Sequence, residues 1–254
     1  MKLNKRLLSA AGLALTLSMF MIPVDGNARG RGQGTSGGQQ PDLSGLAANL
    51  PMQDISKIEK SCLMKMREEE KMARDVYQVL YDKWGHQIFS NIARSEQQHM
   101  GAVKALLEKY SLKDPIGDSS VGVFTDPELQ KLYTSLVAQG EKSQVEAFRV
   151  GATIEDLDIK DLYDFMEQTD NADIRMVYQN LAKGSRNHLR SFTNQLSLHG
   201  IVYEAQFLTT AQINDIVSSP QERGQVDENG VQQAGNRKSS KGQGRRGGAQ
   251  GFYN

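Results

Sequence analysis

Between Pro41 and Val217 the apolar residues recur every three or four positions, the period of helices that bury one face. From Ile55 to Trp84 there is no Gly or Pro, and Leu63, Met66, Ala73, Tyr77, Leu80 and Trp84 share a stripe that Gly85 ends. A second stripe runs through Phe89, Ile92, Val103, Leu106 and Tyr110. Asp114-Pro115 and Gly117 then open a long connection, in which Thr125-Asp126-Pro127 starts a short helix with Pro in its first turn. A third stripe holds Val145, Phe148, Ala152, Ile159, Leu162 and Met166. The fourth, begun by Asp170-Asn171, holds Ile174, Val177, Leu181, Phe192 and Leu196 and stops at Gly200. No alternating pattern competes for a strand.

Two tightly joined helix pairs with one long crossover between them predict an all-α, up-down four-helix bundle of ferritin-like connectivity over residues 51–217. The flanks read differently. Residues 1–28 begin with Lys2, Lys5 and Arg6, continue uncharged from Leu7 to Ile22, and end in the small-residue cut Gly26-Asn27-Ala28. That is the pattern of a secretory signal peptide, and it predicts export to the periplasm or beyond the cell. Ser9, Gly12, Thr16 and Ser18 break the apolar stretch, which falls short of the ~20 residues of a spanning helix, so cleavage is favoured over an uncleaved anchor. Residues 29–50 form a flexible Gly/Gln/Arg-rich linker, and 218–254 a disordered basic Gly/Gln-rich tail, because neither has enough apolar surface to bury.

Charge and cysteine content narrow the function. The 254 residues carry 30 Lys+Arg against 30 Asp+Glu, which removes the case for a strongly basic nucleic-acid binder. Arg237, Lys238, Lys241, Arg245 and Arg246 make the tail locally basic. Such a tail is either a solubiliser or a weak electrostatic contact with an anionic polymer or envelope, with no sequence-specific nucleic-acid reading. The single cysteine, Cys62, excludes a disulfide framework and every multi-cysteine metal cage.

Each stripe is interrupted by groups that an apolar seam should not contain. Glu70 lies on the first, Glu96 and His99 on the second, Glu155 on the third with Asp158 one turn further, and His188 on the fourth. Glu69 falls off the Leu63-Met66-Ala73 seam. Counted from the turns at Gly85 and Asn171, with a rise of about 1.5 Å per residue, Glu70, Glu96, His99, Glu155 and His188 lie at similar heights. Carboxylates in a bundle core are costly unless something common pairs with them. Two divalent metal ions would do so, because carboxylates bridge two cations while each imidazole caps one. The plainer alternatives are ion pairs of Glu70 and Glu96 with Arg74 and Arg94, and a capping role for Asp158 with Asp161. Tyr77, two turns from Glu70, is either core or a phenol standing behind the metal ligands.

Glu70-Lys-Met-Ala73-Arg74-Asp-Val-Tyr77 followed by Glu96-Gln-Gln-His99 resembles the first two helices of rubrerythrin-type di-iron proteins. From about Ser61 to His199 the chain also resembles a ferritin-like family catalogued only as a domain of unknown function. The motifs include Gly151-Ala-Thr-Ile-Glu155-Asp-Leu-Asp158-Ile and Gly184-Ser185-Arg-Asn187-His188-Leu-Arg190. The resemblance implies that Glu70, Glu96, His99, Glu155 and His188 are metal ligands. It also marks a departure, since the second Glu-x-x-His of the di-iron pattern is Ser185-x-x-His188 in this chain. Asp158 is expected to replace the missing carboxylate.

The resemblance implies a centre of two iron ions, with Mn or Zn as alternatives, that reduces peroxide or O₂ or oxidises Fe(II). Rubrerythrins carry a four-cysteine iron site as well, so this chain would need an external electron donor. A non-catalytic periplasmic metal binder and a metal-free structural or adhesive bundle are the rival readings. A monomer and a homodimer both remain open.

Overall fold

The computed structural model describes residues 50–232, together with Gly45 and Ala47. The expected signal peptide, most of the linker and the tail from 233 onward lie outside the described residues. Six helices and no strand are present among those described: α1 Lys57–Trp84, α2 Gln87–Lys109, α3 Pro127–Gly140, α4 Gln144–Met166, α5 Ala172–Leu198 and α6 Thr210–Ser218. None is long and apolar enough to cross a membrane.

Local chemistry sets the helix ends. Ser56 and Glu59 form a reciprocal capping box on α1, the Glu59 amide donating to Ser56 Oγ at 3.2 Å and the Ser56 amide to Glu59 Oε2 at 2.7 Å. Gly85 closes α1 at φ 65°, a left-handed conformation that glycine adopts without a Cβ penalty. Asp126 caps α3 with Pro127 in its first turn, as the sequence predicts, but the helix runs for 14 residues and is a substantial element. Helix α6 is an element that the apolar pattern does not predict.

The architecture is the expected all-α bundle. Helices α1 and α2 form one antiparallel pair and α4 and α5 the other; α1 meets α4, α2 meets α5, and α3 packs against α1 and α4. Charged residues of α1 hold the crossover in place. Arg67 grips Asp114 at 2.9 Å, Lys71 Nζ donates to Ser120 O at 2.8 Å, and Gly122 N donates to Asp75 Oδ2 at 3.0 Å. Glu68 Oε1 accepts the Thr125 amide at 2.7 Å. These charges are buried but paired, which removes most of the cost of taking them out of water.

One boundary is corrected. Residues 219–232 are not part of a disordered tail but run back along α5. Glu222 sits between Arg186 (2.5 Å) and Arg190 (3.1 Å), and Asn180 exchanges hydrogen bonds with the Val226 backbone at 2.7 and 3.1 Å. Polar anchoring supplies what the composition of this segment lacks in apolar surface.

The core divides into two apolar clusters. One gathers Tyr77, Leu80, Phe89, Phe148, Phe192 and neighbours. The other gathers Leu63, Met66, Val103, Leu106, Leu162, Tyr178, Leu181 and neighbours. On α1 the first cluster begins at Met72 and the second ends at Met66, and on α2 the divide falls between Ala93 and Ala102. Glu70, Glu96, His99 and His188 occupy that divide, while Glu155 faces it from between Ile154 and Ile159 of the first cluster.

Candidate metal centre

Four helices each deliver a side chain to the layer between the two apolar clusters. Glu70 comes from α1, Glu96 and His99 from successive turns of α2, Glu155 from α4 and His188 from α5. All five are between 1 and 7 % exposed. The structure brings them together in two groups of three, Glu70–Glu96–His99 and Glu96–Glu155–His188, in each of which one ligand atom per residue lies within 4.8 Å of the others. Glu96 belongs to both groups. Its Oε2 lies 2.7 Å from His99 Nδ1 and its Oε1 lies 2.8 Å from His188 Nδ1. The outer carboxylates complete the pattern, Glu70 Oε2 at 3.2 Å from His99 Nδ1 and Glu155 Oε2 at 3.3 Å from His188 Nδ1.

The arrangement has the donor chemistry of a metal site. Glu70 Oε1 accepts no hydrogen bond, and the nearest group to Glu96 Oε1 is the His188 ring nitrogen at 2.8 Å. The carboxylate oxygens converge on the two imidazole Nδ1 atoms, and Glu70 Oε1 is a buried carboxylate oxygen left without a partner, which is costly. Three carboxylates and two imidazoles suit a divalent first-row cation in each group.

Without a metal, the charges interact strongly. Burial works against charge on both histidines, but Glu70 and Glu96 outweigh it at His99 and hold its pKa well above the ordinary value. At His188, Glu96 and Glu155 do the same and raise the pKa to about 10. Burial disfavours ionised Glu96, yet His188 and His99 override it and keep Glu96 below the usual carboxylate range. Burial raises Glu70 to about 8, opposed by His99 and reinforced by Glu96. Glu155 is likewise raised, by burial against the pull of His188.

Several residues around the five ligand candidates orient them. The Tyr77 hydroxyl donates to Glu155 Oε1 at 2.5 Å, so the phenol stands directly behind that carboxylate as well as packing in the core. Ser95 Oγ lies 3.1 Å from His188 Nε2, which leaves Nδ1 to face the carboxylates. Asp158 lies in neither group of three; it accepts a short hydrogen bond from the Ser185 hydroxyl. Its carboxyl is nonetheless close enough to the site that burial, Glu70 and Glu155 together push its pKa well up.

The alternative with arginine partners does not occur. The Arg74 guanidinium holds Asp75 Oδ1 at 2.6 Å and Gln97 Oε1 at 2.7 Å, and Arg94 is exposed. Two further residues, Ser95 and Gly184, support the site. Ser95 carries no signal beyond its place next to Glu96. Gly184 does carry one, as a glycine inside a long helix, where it costs about 1 kcal/mol relative to alanine. A Cβ on Gly184 would lie 2.6 Å from His99 Nε2, so only glycine leaves room for that ring.

Comparison with known proteins places these residues in a family. The uncharacterized protein domain DUF2202 matches residues 59–220, which span all five ligand candidates and Asp158. The chain is 55 % identical over 177 residues to the uncharacterized protein MJ0754 of Methanocaldococcus jannaschii, covering 70 % of this chain and 96 % of the relative. The crystal structure of the hypothetical protein MJ0754 superposes with a TM-score of 0.68 at 55 % identity, covering 68 % of this chain and 99 % of that one.

Proposed function

We propose, from the premise that the chain belongs to the uncharacterized DUF2202 domain family, that it is a ferritin-like dinuclear metal protein whose cluster serves iron-based oxidation–reduction. The observation that carries this reading is the pair of three-residue groups sharing Glu96, since a carboxylate common to two groups is what joins two cations at one site. The resemblance of the Glu70 and Glu96-x-x-His99 motifs to rubrerythrin-type proteins favours iron over Mn or Zn. Two irons bound there would supply two electrons for reducing peroxide or O₂, or would be the ferrous ions being oxidised.

The chain's own residues would contribute as follows. Glu96 would serve both ions, while Glu70 with His99 would hold one and Glu155 with His188 the other. The imidazoles must ligate as neutral rings, so loading displaces the protons they hold in the metal-free site. Ser95 then fixes the His188 tautomer, and the Tyr77 hydroxyl holds Glu155 in its orientation. Ser185 anchors Asp158 beside the centre as a reserve carboxylate. The apolar clusters on either side keep bulk water from the layer. Cys62 is the only cysteine, so electrons for repeated turnover would come from an external donor. We further propose that the bundle works outside the cytoplasm after cleavage following Ala28, which the mass of the mature chain from its native host would test.

The test of function is metal content after anaerobic reconstitution of the full chain with Fe(II), purified without added histidines. About two irons per chain, and an oxo-bridge absorption on exposure to air or peroxide, are expected. Fewer than one iron per chain would overturn the dinuclear reading. Two irons that never oxidise would leave a metal binder without turnover.

A further inference from the structure

Glu69, next in sequence to Glu70, has no place in either group of three, yet it is 5 % exposed. Its Oε1 takes Lys65 Nζ at 2.9 Å, and Lys65 also reaches Asp161 at 2.8 Å. Its Oε2 is buried and accepts no hydrogen bond. A carboxylate oxygen left in that condition costs free energy that leucine would avoid.

The surroundings of Glu69 supply a reason. Between α1 and α4 lies a cavity of about 10 Å³, lined by Glu69, Met72, Ala73, Ile154, Leu157 and Asp158. That volume holds about one water-sized occupant. Four of the walls are apolar, and the only charged groups are the two carboxylates. Asp158 looks two ways: it lines the cavity, and it accepts the Ser185 hydroxyl one turn before His188. It also stands one turn from Glu155, about 4.5 Å along the α4 axis. On the outer side, Lys65 and Asp161 are partly exposed, with side chains 28 % and 14 % accessible. The cavity thus lies between a charged, partly wetted edge of the bundle and the buried cluster.

We propose that this cavity is a way station for divalent cations entering the buried centre, with Glu69 and Asp158 as its transient ligands. The proposal rests on the dinuclear reading above and adds a route to it. Two carboxylates without an imidazole make a weak hard-oxygen site, fewer donors than either group of three. Weak binding suits transit, because a cation held too firmly would not move on. Lys65 holds Glu69 through Oε1, which leaves Oε2 free of any hydrogen bond for a cation to use. From the cavity, Asp158 can pass the cation to Glu155 and Glu70, whose charges it already senses.

The experiment follows cobalt(II) uptake by the metal-free full chain, using the visible absorption of bound cobalt in a stopped-flow mixer. Glu69→Gln keeps the size of the side chain and removes its charge. It is expected to reach the wild-type cobalt content at least tenfold more slowly. Leu157→Phe, at a half-buried wall position, keeps both carboxylates and narrows the cavity; it too should slow uptake without changing the endpoint. If Glu69→Gln fails to fold by circular dichroism, the phenylalanine variant decides. Wild-type rates in both variants would overturn the proposal and leave the cavity to a water. A lower endpoint in Glu69→Gln at an unchanged rate would also overturn it, by making Glu69 a resident ligand. A wild-type chain that binds no cobalt would instead sink the dinuclear reading, and the route with it.

Discussion

Glu96 is the residue on which the two halves of the site depend. Because both groups of three include it, Glu96→Ala should lose both metals, whereas Glu70→Ala and Glu155→Ala should each retain about one. Metal analysis after gel filtration distinguishes these outcomes, and two metals retained in Glu96→Ala would refute the bridging role. Gly184 supports the same site from α5. In Gly184→Ala the new methyl would meet His99 Nε2 at 2.6 Å, and the ring would have to leave its position facing Glu70 and Glu96. Overpacking of this kind costs roughly 1–3 kcal/mol, so a lower melting temperature is expected together with weaker metal binding. A variant that binds as the wild type does would show that the ring adapts. Tyr77→Phe is gentler. It removes one donor from Glu155 while keeping the ring between Phe89 and Phe192, and it should cost about 1 kcal/mol in the metal-free protein. A titration with denaturant measures it.

The elements differ in how plainly the sequence announces them. The four long helices and the Glu70, Glu96, His99, Glu155 and His188 layer follow from a period of three and four with polar interruptions, since burial imposes that period directly. Helix α6 rests only Ile213 and Ile216 on the first cluster and the segment before it adds Tyr203 and Leu208, too few positions to set a period, while residues 219–232 depend on single polar anchors. Thr209-x-x-Gln212 is a capping box and was the available signal for α6. Asp156 is the less legible case. It sits next to Glu155, is completely buried, and accepts the Tyr203 hydroxyl at 2.9 Å and the amides of Gln206, Phe207 and Leu208 at 2.7, 3.2 and 2.8 Å. From sequence alone, Glu155-Asp156 does not reveal which carboxylate faces the centre and which latches the following segment. Asp158 is similar, because its hydrogen bond to Ser185 joins positions 27 residues apart. Asp156→Asn turns one acceptor into a donor among four donors and should destabilise the chain by about 2–4 kcal/mol. The centre itself should still take its full complement of metal. Loss of metal in Asp156→Asn would mean that α4 depends on this latch to hold Glu155 in place.

At the scale of the whole molecule, the buried layer makes stability depend on pH in a direction set by the metal. In the metal-free protein the His188 pKa is raised to about 10 and that of Glu70 to about 8. For both groups the folded state binds more protons than the unfolded state between the ordinary and the raised pKa. Stability therefore falls as pH rises across those windows: from the usual carboxylate range to about 8 for Glu70, and from the usual histidine range to about 10 for His188. The contribution of each is fully present below its unfolded pKa and is lost above its folded one. Glu96, held below the usual range, acts in the opposite sense only at the acid end. The melting temperature of the metal-free chain should thus decline from about pH 5 to pH 9, where ordinary domains change little. Metal reverses the sign, because the cations take the place of those protons. Each proton displaced steepens the affinity by about tenfold per pH unit, so loading strengthens over the interval in which the empty bundle weakens. The melting curves of loaded and metal-free protein should then diverge steadily with rising pH, and calorimetry at several pH values measures the gap. A gap that stays constant with pH would mean that loading displaces no protons from the layer, and coincident curves that metal contributes nothing to stability.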